Sequence, residues 1–140
     1  MKAYLCTAIG MIGSVALAAL GGWDASIGIL LFFMAGDYIS GLIVAGVFHR
    51  SPKSKDGSLE SRAGWKGLVR KGMALFLVLV GAQLDALLGL MYIRDAIIIA
   101  FIINELLSII ENARLMGLTI PKGLEDATEL LKDKSENKVK

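Results

Sequence analysis

Four long apolar blocks limit the folds that this chain can adopt. They cover about residues 4–20, 25–47, 72–93 and 96–112. An α-helix rises 1.5 Å per residue and the hydrocarbon core of a bilayer is about 30 Å thick, so segments of roughly twenty apolar residues can cross it. The chain is also 55% hydrophobic, whereas soluble domains average about 45–50%. We therefore predict an all-α integral membrane protein with about four transmembrane helices.

The first block has a competing interpretation as a cleaved signal peptide, because residues 16–19 resemble a cleavage region. Its amino-terminal side carries only Lys2, however, and further spanning blocks follow. We expect the first helix to be retained. If it were cleaved or inserted differently, the chain would have three spans and its amino terminus outside.

Small residues recur at four-residue spacing on the first two blocks. Such a strip lets a second helix approach closely in lipid. The alternative is that small residues are simply common in membrane helices. The candidate packing residues are Gly10, Ser14 and Ala18 (with Gly22 beyond them), and Gly41 and Ala45 on the second block.

The segment between the second and third blocks, residues 48–71, is strongly basic. Its seven bases and two acids give a net charge of +5. Such loops mark the cytoplasmic side of a membrane protein, so four spans place both termini in the cytoplasm. A nucleic-acid-binding patch is the alternative, but basic residues beside spanning helices are more often a topology signal, and we expect no nucleic-acid partner. The bases are Arg50, Lys53, Lys55, Arg62, Lys66, Arg70 and Lys71.

Acidic residues interrupt three of the four blocks. The fourth block also carries the most polar residues, and at helical spacing these form one polar stripe. Mid-span acids are costly and mark functional or interhelical positions. We expect no base in mid-span to pair with them, and Arg94 to reach only one neighbour. We therefore favour water-lining or contacts between copies over purely intramolecular hydrogen bonding. The candidates are Asp37, Ser40 and Asp85, and on the stripe Asn104, Glu105, Ser108, Glu111 and Asn112.

The carboxy-terminal segment, residues 114–140, is predicted to be cytoplasmic and separate from the transmembrane domain of residues 1–113. An amphipathic helix to about residue 131 would place Ile120, Leu124, Ala127 and Leu131 on one face. Residues 132–140 form a charged tail, which we expect to be disordered.

No catalytic or metal-binding pattern occurs in the sequence, so we predict a protein that is not an enzyme and needs no cofactor. The Gly-x-Gly-Asp pattern of intramembrane aspartyl proteases is broken at Asp37, because Met34 precedes Ala35 and Gly36. A small channel or proton-coupled transporter is the alternative function. Small proton-coupled exporters have a similar length, but they carry their key acid in the first span, where this chain has none.

Three features together resemble the toxin-secretion/phage-lysis holin family. They are residues 37–41 (DYISG), the basic segment that ends in Lys66-Gly67 and Arg70-Lys71, and residues 103–112 (INELLSIIEN) followed by Gly117 and Ile120-Pro121. The resemblance covers about residues 25–131, and the 103–112 run is its most specific part.

The resemblance implies a function. Members of the family accumulate in the cytoplasmic membrane of a bacterial host, among its lipids, and assemble into large homo-oligomers. They then permeabilise the membrane so that an endolysin reaches the cell wall; some relatives assist toxin export. On this hypothesis, Asp37, Asp85 and the polar stripe are hidden in protein contacts at first and face water after a rearrangement.

Overall fold

The computed structural model describes residues 1–138, and within them the chain is all-helical. Five α-helices follow one another in the order α1 to α5. Their bounds are α1 Lys2–Ala19, α2 Ala25–Gly46, α3 Ser61–Leu88, α4 Ile93–Leu115 and α5 Lys122–Lys138.

Helix boundaries follow local chemistry. Gly21 and Gly22 adopt positive φ angles of 89° and 91°, which end the helical conformation after α1. The Asp24 side chain then accepts a hydrogen bond from the Ile27 amide at 3.0 Å and caps α2. Gly89 ends α3 in the left-handed conformation. The short connection after α3 brings α4 back alongside it.

Among residues 1–138, three helices are long and apolar enough to cross a membrane. They are α1, α2 and α3. The fourth predicted span, α4, is not in this set, so the predicted number of four is not confirmed by length and hydropathy. The all-helical fold and the long apolar helices are as predicted.

Helix α4 is the centre of the molecule, because it packs on α2, α3 and α5. The buried core lies between α2, α3 and α4 and consists of Ile27, Leu30, Met34, Ala74, Val78, Ile98 and Ile102. Gly81 allows α3 and α4 to approach closely. A Cβ atom there would lie 2.7 Å from Ile97 Cδ1 and 3.2 Å from Arg94 Cα.

Helix α1 stands apart from this core. Within the described part of the chain it packs only on α3, and none of its residues is buried. The predicted strip of Gly10, Ser14 and Ala18 is exposed along α1. Gly41 and Ala45 on α2 instead lie inside the bundle, where a Cβ at Gly41 would be 3.8 Å from Asn112 Nδ2. The two sets of small residues therefore have different surroundings.

Two predicted boundaries are wrong. Helix α3 begins at Ser61, so residues 61–71 of the expected basic loop are helical. Helix α5 continues to Lys138, so most of the tail that we expected to be disordered is helical, and residues 139–140 lie outside the described part. The predicted α5 face is also shifted, because Thr128 is buried whereas Ala127 is exposed. The two boundary errors have one cause, because the predicted ends of α3 and α5 lie where the apolar residues stop.

Candidate functional site

A buried lysine joins the three core helices. Lys71 of α3 donates to Asp37 Oδ2 of α2 at 2.7 Å and also to the carboxylate of Glu105 on α4. The three side chains, which we call the Lys71 cluster, are only 15%, 9% and 7% exposed. Each core helix therefore contributes one charge to the same point.

Lys71 is the residue of this cluster that the sequence does not predict. It was assigned to the basic loop, and the expectation that no base pairs with the mid-span acids is wrong. The sequence carries no signal for this pairing, because residues 73–80 are all apolar and do not mark one face of α3. The structure shows which face is buried, since Ala74, Val78 and Gly81 face the bundle. Their spacing of three and four residues, extended one step towards the amino terminus, arrives at position 71.

Asn112 extends the cluster towards the end of α2. Its Nδ2 donates to Ser40 Oγ at 2.8 Å and lies 3.4 Å from Asp37 Oδ1. Ser40 Oγ in turn donates to the Asp37 carbonyl at 3.0 Å. Among the side chains that the structure describes, every buried nitrogen and oxygen has a hydrogen-bond partner. The buried polar side chains thus form a hydrogen-bonded network, as buried polar groups require.

The polar stripe of α4 divides into two halves. Glu105 and Asn112 are buried and Ser108 is half-buried, so these residues face α2 and α3. Asn104 and Glu111 are exposed on the adjoining face. Both halves border one cavity of about 1200 Å³ between α2, α3, α4 and the loop that follows α2. We call this cavity the polar groove. The single predicted stripe therefore has a bonded side and an open side.

The charges of the Lys71 cluster do not balance when both carboxylates are ionised, since one ammonium faces two carboxylates. Breaking a buried ion pair by removing one partner costs about 3–5 kcal/mol, because the other charge loses its compensation. The cluster therefore holds the three helices together, and it is sensitive to any change in its single cation.

A second ionic cluster lies at the opposite end of the bundle. Arg94 donates to both carboxylate oxygens of Asp24, at 2.7 and 3.2 Å, and to Asp95 at 3.2 Å. It also donates to the backbone carbonyls of Leu20 and Gly22. We call Arg94, Asp24 and Asp95 the Arg94 cluster. The expectation that Arg94 reaches only one neighbour is wrong.

The Arg94 cluster fixes the turn between α1 and α2 against the start of α4. Arg94 is itself only 8% exposed. Its hydrogen bonds hold the pKa of Asp24 below its usual range, and the Ile27 amide lowers that pKa further. A planar guanidinium suits this arrangement, because it can bind a carboxylate with two parallel hydrogen bonds.

Asp85 belongs to neither cluster. It accepts hydrogen bonds from the amides of Ile93 and Arg94, at 3.0 and 2.9 Å. These amides are at the start of α4 and have no partner within the helix, so Asp85 satisfies them from the end of α3. The structure does not bring Asp85 together with the polar stripe, although the sequence suggested one set of mid-span acids.

The seven predicted basic residues also separate into groups. Lys71 is in the buried cluster, and Arg50 donates to the Leu115 carbonyl at 3.4 Å. The other five are exposed, on the loop or on the first turns of α3: Lys53, Lys55, Arg62, Lys66 and Arg70.

Comparison with known proteins identifies the family. The sequence profile of the bacteriophage holin family matches residues 14–133. The match includes α2, α3, α4 and both ionic clusters. The chain belongs to the bacteriophage holin family. The predicted resemblance is therefore confirmed, and a holin-type, membrane-associated role is supported for this chain.

Several relatives of this holin-family protein are similar over most of their length. An uncharacterized protein of Clostridium perfringens is 35% identical over 135 residues, covering 94% of each chain. An uncharacterized protein of Listeria monocytogenes is 36% identical over 113 residues, covering 80% of this chain and 75% of its own. A protein named probable holin, from Bacillus phage phi105, is 31% identical over 103 residues, or 73% of this chain and 70% of its own. No solved structure matches significantly.

Proposed function

We propose that this protein is a holin that assembles into homo-oligomers in the bacterial cytoplasmic membrane and permeabilises it. The opening would release an endolysin to the cell wall or assist export of a toxin. Family membership and the similarity to a probable phage holin support this function. The observation that carries the proposal is the open side of α4, where Asn104 and Glu111 face a polar groove beside apolar helices.

Helix α4 acts as a fourth span in this proposal. Arg94 at the start of α4 binds Asp24 at the start of α2, and Asn112 binds Ser40 near the end of α2. The two helices therefore run parallel over the eighteen helical steps from Arg94 to Asn112, which is about 27 Å at 1.5 Å per residue. A helix that accompanies α2 over this length crosses the same layer. Four spans then leave both termini in the cytoplasm.

The resting protein keeps its mid-span charges inside the bundle. Lys71 binds Asp37 and Glu105, while the exposed Asn104 and Glu111 have no such covering in one copy. Polar groups facing lipid are unfavourable, so copies that turn these faces towards one another gain stability. Enclosed between copies, such faces form a wall that water can wet. The apolar α1, with none of its residues buried, offers surface for further contacts.

Induced expression in a bacterium tests the function. We expect the chain alone to cause a sudden loss of membrane potential and viability once it has accumulated, and the culture to lyse only when an endolysin is co-expressed. Release of a cytoplasmic enzyme reports holes large enough for proteins. Normal growth and potential with the chain abundant in the membrane would contradict the proposal.

Variants of the open side connect the function to α4. We expect the double change Asn104→Leu and Glu111→Leu to leave membrane insertion intact and to delay or abolish permeabilisation. Glu129→Leu is the matched control, because Glu129 is an exposed acid of α5 outside the polar groove. Equal timing of the double variant and the control would show that the open side is not used.

A small proton-coupled transporter is the second candidate function, favoured by the Lys71 cluster. Paired intramembrane acids with a base are typical of proton pathways. This function predicts substrate-dependent flux without loss of viability. Measurements of viability and membrane potential after induction therefore distinguish the two candidates.

A further inference from the structure

The loop between α2 and α3 has a defined shape. The Ser51 amide donates to the Gly57 carbonyl at 3.0 Å, which closes the loop. The Asp56 carboxylate accepts from the amide and hydroxyl of Ser58, at 3.1 and 2.6 Å. The Glu60 carboxylate accepts from the Lys55 amide at 3.3 Å. These bonds hold the loop against the start of α3.

Gly57 is required by this shape. Its φ angle is +80°, a conformation that residues with a side chain rarely adopt. A Cβ atom at this position would collide with the carbonyl of His49. The loop geometry can therefore be disturbed by adding one methyl group, without changing any charge.

The shape of the loop gathers four cations around one pocket. Lys53 and Lys55 of the loop and Arg62 and Lys66 of α3 line a cavity of about 530 Å³, together with Pro52, Ser54 and Glu60. Within residues 1–138, no carboxylate lies within 4 Å of the side-chain nitrogens of these four bases. The pocket thus has a net charge of +3 and is complementary to an anion.

The depth of this pocket along α3 indicates what the anion is. Lys66 lies nineteen helical steps before Asp85 at the other end of the bundle, which is about 28 Å at 1.5 Å per residue. This is close to the hydrocarbon thickness of about 30 Å. When Asp85 lies at one boundary of the hydrocarbon layer, Lys66 therefore lies at the other, from which its side chain can extend to the lipid phosphates. Trp65, beside it, is 68% exposed, as is typical of interfacial tryptophans.

We propose that this pocket is a binding site for the phosphate of an anionic phospholipid. Lys53 and Lys55 contact the headgroup from the cytoplasmic side, and Arg62 and Lys66 contact it from α3. The acyl chains then lie against the exposed apolar side of α3, which includes Trp65, Leu68 and Val69. The site requires that the chain is inserted in a membrane, but it does not require that the chain forms holes.

Tryptophan fluorescence in detergent tests the site independently of lysis. The chain has two tryptophans, so Trp23→Phe leaves Trp65 as the single reporter. Short-chain phosphatidylglycerol, phosphatidylcholine of the same chain length and inorganic phosphate are titrated separately. We expect a saturable response to phosphatidylglycerol at a concentration about tenfold or more below that for the other two.

Three variants separate a shaped site from diffuse attraction. We expect Lys53→Gln with Lys55→Gln to weaken the phosphatidylglycerol response about tenfold, and Gly57→Ala to weaken it although every charge is kept. Lys132→Gln with Lys134→Gln removes the same charge from exposed positions of α5 and should leave the response unchanged. Size-exclusion chromatography and circular dichroism confirm that each variant is folded.

Four outcomes would overturn the proposal. An equal response to phosphatidylcholine would exclude recognition of the anionic headgroup. Saturation by inorganic phosphate at the same concentration would assign the pocket to a soluble anion. An equal loss in the α5 control would indicate attraction by net charge alone. An unchanged response in Gly57→Ala would show that the loop does not shape the site.

Discussion

The Lys71 cluster and the Arg94 cluster each combine one cation with two carboxylates, yet they hold the chain together in different ways. Lys71, Asp37 and Glu105 all come from the interior of helices, and their side chains are at most 15% exposed. Arg94 lies in the first turn of α4, and its partners Asp24 and Asp95 are 46% and 42% exposed. The first cluster depends on other side chains, whereas the second also uses backbone carbonyls and has access to water.

This difference predicts how each cluster responds to change. Water or headgroups can replace a lost partner at the Arg94 end, because its carboxylates are partly exposed. Asp37 and Glu105 are only 9% and 7% exposed between three packed helices and reach water only at the edge of the polar groove. We therefore expect the Lys71 cluster to be more sensitive than the Arg94 cluster to the loss of one partner.

The largest effect is expected for Lys71→Met. Two buried carboxylates would lose the cation that is bonded to both of them, which should destabilise the fold by about 3–5 kcal/mol. Resistance of the detergent-solubilised protein to thermal aggregation measures this loss. Restoring neutrality with Asp37→Asn and Glu105→Gln in the same chain should recover most of the stability. If the triple variant is as unstable as Lys71→Met, charge is not the cause.

A smaller loss is expected for Arg94→Gln. The glutamine cannot bind Asp24 through two charged hydrogen bonds, but the exposed carboxylates can be hydrated, so we expect about 1–3 kcal/mol. The same thermal assay places this variant between the wild type and Lys71→Met. A loss greater than that of Lys71→Met would reverse the proposed ranking of the two clusters.

Glu105→Gln is expected to act in the opposite direction. It leaves Lys71 paired one-to-one with Asp37 and removes the excess negative charge, so the resting arrangement should gain up to about 1 kcal/mol. In cells the change should delay permeabilisation, with the protein still present in the membrane. Asp95→Asn is the matched change in the Arg94 cluster and should leave the time of onset unaltered. Earlier onset in Glu105→Gln would contradict a resting role for the cluster.

The smallest effect on stability is expected at low pH. The pKa of Asp24 is lowered in the folded chain, mainly by Arg94, so its contribution to stability is present above its unfolded pKa and is lost as pH falls through the folded pKa. We expect a modest loss of thermal stability below about pH 4. Asp24→Asn should remove this part of the pH dependence. An identical pH profile for the variant and the wild type would assign the acid sensitivity to other groups.

Much of the fold follows from sequence, since apolar blocks and turn formers mark α1 to α4 and the 103–112 run identifies the family. The partner of the mid-span acids could not be found in this way. Lys71 is the last residue of the basic segment. A charge at the end of an apolar block is as compatible with a topology signal as with an ion pair to a mid-span acid. The division of the polar stripe could not be predicted from the sequence either, because the exposure of Asn104 and the burial of Asn112 depend on where α2 and α3 pack.

The unequal charges of the Lys71 cluster have a consequence for biogenesis. The chain is synthesised from its amino terminus, so α2 and α3 enter the membrane before α4 is complete. At that stage Asp37 and Lys71 can form a neutral pair between α2 and α3. Glu105 arrives last and brings the second carboxylate with it. We therefore expect α4 to be the helix whose insertion is slow, because it adds the second carboxylate and packs on both α2 and α3.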